Sequence, residues 1–160
     1  MVHKKAQAWG FDLIIGSSIF IVGVILLYFY SINYVTETNE ILSSLNYDGE
    51  NIADNLLSSG YPENWDSENV INIGISNDNK INQTKLDRFA GIIEDDYPKT
   101  KSLLNTRYDY YLNFSNQMTI SGEPLEGIGV YPENPENIIK VTRFTIYEDK
   151  PITMDVYVWN

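Results

Sequence analysis

The chain has 160 residues and contains 22 acidic but only 11 basic residues, which gives a net charge of −11 at neutral pH. This excess of acid argues against nucleic-acid binding, which requires a basic surface. Cysteine is absent and the one histidine is His3. Disulfides, thiolate metal sites and a cysteine nucleophile are therefore excluded, and a Ser-His-Asp triad or a histidine metal site is not expected.

The first element is a long apolar segment close to the N-terminus. Residues 13–29 carry no charge, and with its aromatic flanks the segment runs from Trp9 to Tyr30. As a helix it would be about 33 Å long, which matches a hydrocarbon core of about 30 Å. Aromatic residues at both ends are typical of a membrane interface. We therefore predict a transmembrane helix over residues 7–30. The alternative, a buried helix of a soluble protein, is less favoured because such charge-free runs are uncommon there.

The distribution of charge predicts the orientation of this helix. Lys4 and Lys5 precede it, and no lysine or arginine follows through Leu57. The positive-inside rule therefore places the N-terminus in the cytoplasm and residues 31–160 outside the cell. All but one of the acidic residues and all but two of the basic residues lie in residues 31–160, which gives that part a net charge of −12. An acidic, cysteine-free exterior suits a prokaryotic cell surface, and it would repel phosphate-rich partners.

The N-terminus does not have the features of an ordinary secretory signal. The apolar segment is too long, and no small-residue cleavage site follows Tyr30. The small residue in a suitable position is Ala6, which precedes the apolar segment. Cleavage after Ala6 would remove residues 1–6 as a leader peptide and would leave the hydrophobic helix on the mature protein.

The segment MVHKKA followed by QAWGFDLIIGSSIFIVGVILLYFY resembles the class III signal of type IV pilin-like proteins, particularly archaeal ones. In that family a prepilin-type peptidase removes a short basic leader on the cytoplasmic side, and the apolar helix then anchors the subunit and later packs into a filament core. The resemblance implies cleavage between Ala6 and Gln7 and self-association or association with other pilin-like subunits. Many members carry a glutamate at the fifth mature position, where this chain has Phe11, followed by Asp12.

Three residues in the apolar segment are candidates for a role in assembly. Asp12 is either an interfacial acid that reaches headgroup water or a charge partner for the freed α-amine of Gln7. Such a pair, within one subunit or between neighbours, would fix the axial register of the helices. Gly16 and Gly23 are seven residues apart and share one helical stripe, where small residues permit close helix approach in lipid. Glycine is also generally commoner in membrane helices.

The helix is predicted to continue beyond the membrane, over residues 31–59. Apolar or small residues recur there at a spacing of three or four, which indicates an amphipathic helix whose apolar face is buried. These residues are Val35, Thr38, Leu42, Leu45, Gly49, Ile52 and Leu56. Gly60 and Pro62 are expected to end the helix, which would run from Gln7 to Ser58. Glycine costs about 1 kcal/mol in a helix, so we expect a kink or weak point at Asp48-Gly49. The alternative is a break at Tyr47–Glu50.

After Gly60 the pattern changes to that of strands. Strands are predicted over residues 70–75, 107–115, 117–120, 138–147 and 152–159, with 117–120 paired to 107–115. Helices are predicted over residues 84–93, opened by a capping box at Thr84, and over residues 98–104. Residues 77–80 are predicted to form a turn and residues 121–137 a loop. Alternate residues of the last strand, from Ile152 to Val158, form a core face.

The predicted fold class is α+β, with a long N-terminal helix packed on a small antiparallel sheet. The domains would be the leader 1–6, the membrane or filament-core helix 7–30 and an extracytoplasmic head over residues 31–160. This order of elements is also that of the pilin-like family.

Enzymatic function is not expected. The acidic clusters Glu94-Asp95-Asp96 and Glu148-Asp149 are better interpreted as solvated loop ends than as a carboxylate pair for catalysis or a metal site. The segment that begins at Asn77 resembles the start of a calcium loop, but Asn82 and Arg88 stand where the motif requires glycine and glutamate. We therefore predict no catalytic residue, no metal site and no cofactor.

Two further features concern the surface of the head. Tyr108, Tyr110, Tyr111 and Tyr131 could form an adhesive or stacking surface, although core aromatics of a sheet are the favoured interpretation. The sequons Asn82-Gln83-Thr84 and Asn113-Phe114-Ser115 make Asn82 and Asn113 candidate N-glycosylation sites on an exported domain. Asn113 is the poorer candidate because it falls within a predicted strand.

Two functions remain in view from the sequence. The first is a structural subunit, major or minor, of an archaeal type IV pilus-like surface filament that is anchored in membrane lipid before assembly. The alternative is a single-pass membrane-anchored binding or adhesion module that does not polymerise. Removal of residues 1–6 separates the two, because a polymerising pilin loses its leader whereas a plain signal anchor keeps it.

Overall fold

A computed structural model describes residues 3–116, 118–120 and 122–160, with side chains described from Gly10 onward except in residues 33–38. Contacts divide the chain into two units, Met1–Glu40 and Ile41–Asn160. Helix α1 (His3–Leu56) begins in the first unit and ends in the second. We call the second unit the head. The predicted α+β class is confirmed.

In the part of the head that the structure describes, nine further elements follow α1. They are β1 (Ser76–Asn77), β2 (Lys80–Ile81), α2 (Gln83–Leu103), β3 (Asp109–Phe114), β4 (Met118–Ile120), β5 (Glu123–Leu125), β6 (Ile128–Gly129), β7 (Ile138–Tyr147) and β8 (Lys150–Trp159). Six of these strands form one sheet in the order β1-β2-β7-β8-β3-β6, in which β2 and β7 are parallel and the other neighbours are antiparallel. Strands β4 and β5 form a separate hairpin.

The first unit contains the predicted membrane helix. Gly10–Ile32 is a segment of 23 residues with a mean hydropathy of 2.4, and none of it is buried within the chain. It is long and apolar enough to span a membrane. We call this segment the span. The predicted start of the membrane helix at residue 7 lies outside the described side chains, and its predicted end at residue 30 falls within the span.

The second part of α1 packs its predicted apolar stripe into the core of the head. Leu45, Gly49, Ile52 and Leu56 are buried, and Leu42 is half-buried. The two earliest members of the predicted stripe, Val35 and Thr38, lie outside the described side chains. The amphipathic spacing therefore identified the buried face of the helix correctly in the part that can be compared.

The alternative prediction of a helix break at Tyr47–Glu50 is wrong, because these residues are helical. Gly49 has a packing role instead. A Cβ atom at this position would lie 2.9 Å from Val141 Cγ2 and 3.5 Å from Val158 Cγ2. The missing side chain thus lets strands β7 and β8 approach the helix backbone closely.

The predicted strand over residues 70–75 is not observed. This segment packs as irregular backbone against the end of α1, where the Ile75 N–H donates to the Leu56 carbonyl at 2.7 Å. The buried Trp65 ring donates from Nε1 to the Gly74 carbonyl at 2.9 Å. Ile73 and Ile75 are therefore buried in a segment whose backbone is bound by a helix end and a tryptophan rather than by a neighbouring strand, whereas Ile71 is exposed.

The two predicted helices, 84–93 and 98–104, form the single element α2, which contains a kink. Asp96 has non-helical angles (φ −154°, ψ 78°), and its side chain accepts from the Lys99 N–H at 3.0 Å, so it caps the second segment. The first segment begins earlier than predicted. Its N-cap is Asn82, whose side chain accepts from the Lys85 N–H at 3.1 Å, and not Thr84.

Residues 117–137 differ most from the prediction. Strand β4 pairs with β5 and not with β3, because β8 and β6 occupy the two sides of β3. The region predicted as a loop, 121–137, contains β5 and β6. Gly122 (φ +92°) and Gly129 (φ +104°) adopt backbone conformations that favour glycine, and they make these short, sharply turned strands possible.

The hairpin of β7 and β8 follows the prediction closely. Strand β7 has the predicted limits, and the predicted core face of β8, from Ile152 to Val158, is buried. Glu148 and Asp149 have positive φ angles of 49° and 60°, as in the two-residue turns that match strand twist. Because this turn is so tight, β8 begins at Lys150, two residues earlier than predicted.

Candidate functional site

The predicted assembly residues share one side of the span. At 3.6 residues per turn, Gly23 is rotated about the helix axis by about 20° from Gly16, and Asp12 is rotated by about 40° from Gly16. All three residues therefore lie on the same side of the helix. A Cβ atom at either glycine would meet no other atom within 4 Å. Gly16 lies in a shallow depression lined by Asp12, Leu13, Ser17, Phe20 and Ile21. The span therefore presents a narrow open strip with a carboxylate at its N-terminal end and large apolar side chains beside it.

Ser18 is a polar residue of the span that is satisfied locally, whereas the side chains of the predicted cleavage pair lie outside those described. The Ser18 hydroxyl donates to the Ile14 carbonyl at 2.7 Å, which is a usual way to satisfy serine in a membrane helix. The predicted cleavage pair, Ala6 and Gln7, has helical backbone, and its side chains are outside those described. The charge pairing between Asp12 and the Gln7 amine stays a prediction.

The second surface lies on the side of the sheet that faces away from the core. In β3, Tyr110, Leu112 and Phe114 are buried, so the residues between them project to the opposite side. Register aligns Tyr111 with Tyr157 and Lys140 in one row, and Asn113 with Asp155 and Thr142 in the next. We call these two rows the outer face.

The outer face carries a cluster of tyrosines. The Tyr111 ring lies 5.4 Å from the Tyr131 ring in an edge-on arrangement and 6.3 Å from the Tyr157 ring. The Tyr111 hydroxyl donates to the Glu126 carbonyl at 3.0 Å, and Gly127 has no room for a side chain because the Tyr111 ring occupies that space. Tyr111 is thus held in place, while the Tyr131 side chain is 66% exposed.

Charged groups complete the outer face. Lys140 Nζ lies 2.8 Å from Asp155 Oδ2 and 5.6 Å from the centre of the Tyr157 ring. The hydrogen bond to Asp155 raises the pKa of Lys140, so the ammonium stays charged. The Thr142 hydroxyl donates to Asp155 Oδ1 at 2.6 Å. The face therefore combines aromatic rings with polar groups whose hydrogen bonds hold them in fixed positions.

The four tyrosines considered from the sequence divide into two pairs. Tyr108 and Tyr110 are buried, as expected of core aromatics, whereas Tyr111 and Tyr131 lie at the surface. Tyr157 belongs with the surface pair and was not singled out from the sequence. Its position among alternating polar residues on the non-core face of the last strand was the signal that could have identified it.

The two sequons lie in different environments. Asn82 is half-buried and caps α2. Asn113 is exposed in the second row of the outer face, two residues after Tyr111.

The acidic clusters are at the surface, and Asp96 and Asp149 have structural partners. Glu94, Asp95 and Asp96 are exposed on α2, and Asp149 pairs with Lys80 at 2.7 Å, which lowers the pKa of Asp149. In the described part of the chain, no three histidine, aspartate or glutamate side chains are arranged to hold a metal ion.

The segment that resembled a calcium loop is a hairpin. Asp78 and Asn79 form its turn with φ angles of 50° and 62°. The Asn77 side-chain oxygen accepts from Lys85 Nζ at 2.5 Å. The lysine ammonium therefore lies beside the first oxygen that a calcium loop would use as a ligand.

A buried polar network joins α2 to β3. The Tyr110 hydroxyl lies 2.5 Å from Thr100 Oγ1. The Tyr97 hydroxyl donates to Asp109 Oδ1 at 3.2 Å and accepts from the Tyr110 N–H at 3.0 Å. Burial raises the pKa of both Tyr97 and Tyr110 well above the usual value for tyrosine. Both phenols are therefore neutral at physiological pH and serve to connect the two elements.

No protein family model, curated protein or solved structure matches this chain. The span and the outer face are two surfaces whose apolar or aromatic side chains lie outside the core of the head.

Proposed function

We propose that this chain is a structural subunit, major or minor, of an archaeal type IV pilus-like surface filament. The span would hold it in the membrane before assembly, with the N-terminus in the cytoplasm and the head outside. The observation that carries the proposal is that all of the span is exposed on a single chain, whereas the head has a closed core of its own. The span therefore needs lipid or other helices around it.

The chemistry of the span fits an exchange of lipid for protein. Apolar side chains gain no hydrophobic free energy by moving from lipid to another apolar helix, so association depends on close packing and on polar pairing. Gly16 and Gly23 offer open space for the close approach of a neighbouring helix. Asp12 offers a carboxylate at the end of the same strip.

Removal of the leader would supply the partner of that carboxylate. Cleavage by a prepilin-type peptidase between Ala6 and Gln7 creates a new α-amine five residues before Asp12. An amine and a carboxylate attract each other more strongly at the edge of a low-dielectric bundle than in water. Such a pair between subunits would fix their axial register.

The alternative is a single-pass anchored binding or adhesion module. The tyrosines of the outer face favour it, because aromatic rings with fixed polar neighbours are typical of binding surfaces. This alternative requires no contact between spans.

Variants of the span distinguish the two functions. We expect Gly16→Leu and Asp12→Ala to leave membrane insertion intact but to reduce filaments and crosslinked oligomers. Ser18→Leu is the matched control, because it adds similar bulk about 200° around the helix from Gly16. Electron microscopy of sheared surface material and crosslinking in native membranes provide the readouts. If the wild-type protein is monomeric in both, with peptidase and assembly machinery present, the filament proposal fails.

Processing is tested by mass. The mature protein isolated from membranes should begin at Gln7, and a bulky substitution of Ala6 should leave the precursor uncut. A surface protein that still begins at Met1 would contradict this cleavage and favour the anchored module.

A further inference from the structure

We propose that Asn113, and not Asn82, is an N-glycosylation site, and that the first sugars of the glycan lie against Tyr111 and Tyr157 on the outer face. The proposal rests on the external location of the head in the proposed function. It reverses the preference drawn from the sequence, in which the strand position of Asn113 made it the poorer acceptor.

The Asn113 side chain is accessible. It is exposed, and among the described residues its amide has no hydrogen-bond partner. Strand β3 ends one residue later, and β6 pairs with Tyr111 and Leu112, so no strand of the described residues covers the edge next to Asn113. A sugar attached to Nδ2 would project into solvent above the sheet without displacing any contact of the fold.

The Asn82 side chain is engaged in the fold. Its oxygen accepts from the Lys85 N–H at 3.1 Å, its backbone N–H donates to the Ile75 carbonyl at 2.8 Å, and the residue is half-buried. The middle residue of this sequon, Gln83, is also tied down, because it donates to the Thr119 carbonyl at 2.7 Å and accepts from the Tyr147 hydroxyl at 2.7 Å. A glycan at Asn82 would crowd the start of α2.

The surroundings of Asn113 suit a carbohydrate. Tyr111 lies on the same face two residues before it, and Tyr157 lies diagonally across on β8. Sugar rings have an apolar face of C–H groups that packs on aromatic rings, while their hydroxyls need hydrogen-bond partners. Asp155, directly opposite Asn113, is a carboxylate with lone pairs beyond those used by Lys140 and Thr142. By contrast, the residue two positions before Asn82 is Lys80, which offers no ring.

The covalent step needs a lipid-phosphate-linked oligosaccharide as co-reactant. The Asn113 amide nitrogen forms a bond to the anomeric carbon, the bond from that carbon to the phosphate oxygen breaks, the lipid phosphate leaves, and the amide loses a proton to a base of the transferase. In the folded head the Ser115 hydroxyl oxygen accepts from the Thr153 N–H at 3.0 Å. This hydrogen bond uses a lone pair of the oxygen and leaves the hydroxyl hydrogen as a donor for the transferase.

The site is tested by mapping peptides of the full-length protein purified from its native membranes. We expect a glycan mass on the peptide containing Asn113, its loss in Asn113→Gln, and its retention in the matched variant Asn82→Gln. Protease treatment of intact cells reports separately which side the head occupies. A digestible head with an unmodified Asn113 would overturn the inference and leave the filament proposal standing. A protected head would overturn the external location, and this inference with it.

The stacking of the sugars is tested by thermal unfolding. We expect the glycan to raise the Tm of the head by a few degrees relative to Asn113→Gln, and we expect this gain to disappear when both forms also carry Tyr157→Ser. The two proteins that carry Tyr157→Ser, with and without Asn113→Gln, are compared with each other, so any effect of Tyr157→Ser on stability cancels. An equal gain in both backgrounds would show that the sugars do not lie on this ring.

Discussion

Gly49 and Gly91 are both helical glycines, and we expect the same substitution, Gly→Ala, to act in opposite directions at the two sites. Alanine is about 1 kcal/mol better than glycine in a helix. At Gly49, however, the new Cβ would lie 2.9 Å from Val141 Cγ2, well inside the ~3.5–4.0 Å of an ordinary carbon contact. Valine is stiff about χ1, so the strand or helix must move, and such overpacking costs about 1–3 kcal/mol.

The net effects follow from these two terms. Gly49→Ala should lose up to about 2 kcal/mol of unfolding free energy, because overpacking offsets or exceeds the gain in helix propensity. Gly91→Ala should gain up to about 1 kcal/mol, because a Cβ there meets nothing within 4 Å. Urea unfolding of the full chain in micelles, followed by tryptophan fluorescence, to which the buried Trp65 and Trp159 contribute, measures both. If Gly49→Ala stabilises the head as much as Gly91→Ala, the close packing of α1 on β7 is wrong.

Two further predictions concern the stability of the head. Leu45→Ala should cost about 2–5 kcal/mol of unfolding free energy in the same assay, because Leu45 is fully buried. Leu42→Ala should cost less, because Leu42 is half-buried. Similar small losses of about 0.5 kcal/mol for both variants would place the apolar stripe in contact with solvent or another subunit. Raising the pH should leave Tm unchanged up to about pH 10, which is the pKa of tyrosine in the unfolded chain, and should lower Tm above that pH. The reason is that the pKa values of Tyr97 and Tyr110 are raised in the folded state, which therefore favours the neutral phenols. In a pH series of Tm values, Tyr97→Phe should reduce this loss of stability at high pH, whereas Tyr131→Phe, at an exposed position, should not. An unchanged loss in Tyr97→Phe would contradict the role of the Tyr97 phenol in it.

Local patterns in the sequence predicted the elements that depend on local physics. Charge-free length identified the span, the three-to-four spacing identified the buried face of α1, and alternation identified β7 and the core side of β8. The turn at 77–80 also followed from residue types that tolerate positive φ. In each case a periodicity or a short-range preference is enough to determine the structure.

Long-range packing explains what the sequence could not predict. The segment 70–75 has the alternation of a strand, but the end of α1 and Trp65 take the place that a neighbouring strand would need. Strand β4 was paired with β3 because they are close in sequence, yet β6, which arrives later in the chain, occupies that side of β3. Gly49 was predicted as a weak point because propensity describes the helix alone and not the valine that packs against it.

The outer face shows the same limit for the candidate site. Tyr111 and Asn113 belong together by their spacing along β3, but Tyr157 and Asp155 join them only through the register of β3 and β8. A tyrosine cluster predicted from the sequence alone therefore mixed two core residues, Tyr108 and Tyr110, with surface ones. The sequons could be found by motif, but their relative accessibility depends on a helix cap and a strand edge that the motif does not contain.

The division into two units makes the proposals separable by experiment. Contacts cluster within Met1–Glu40 and within Ile41–Asn160, so substitutions in the span and in the core of the head are expected to act independently. Gly16→Leu should then change assembly without changing the urea midpoint of the head, whereas Leu45→Ala should change that midpoint without changing membrane insertion. A loss of filaments in Gly16→Leu therefore cannot be ascribed to an unfolded head when the midpoint is unchanged. The glycan test is independent of assembly for the same reason, because Asn113 lies in the head and its substitution does not change Asp12, Gly16 or Gly23 in the span.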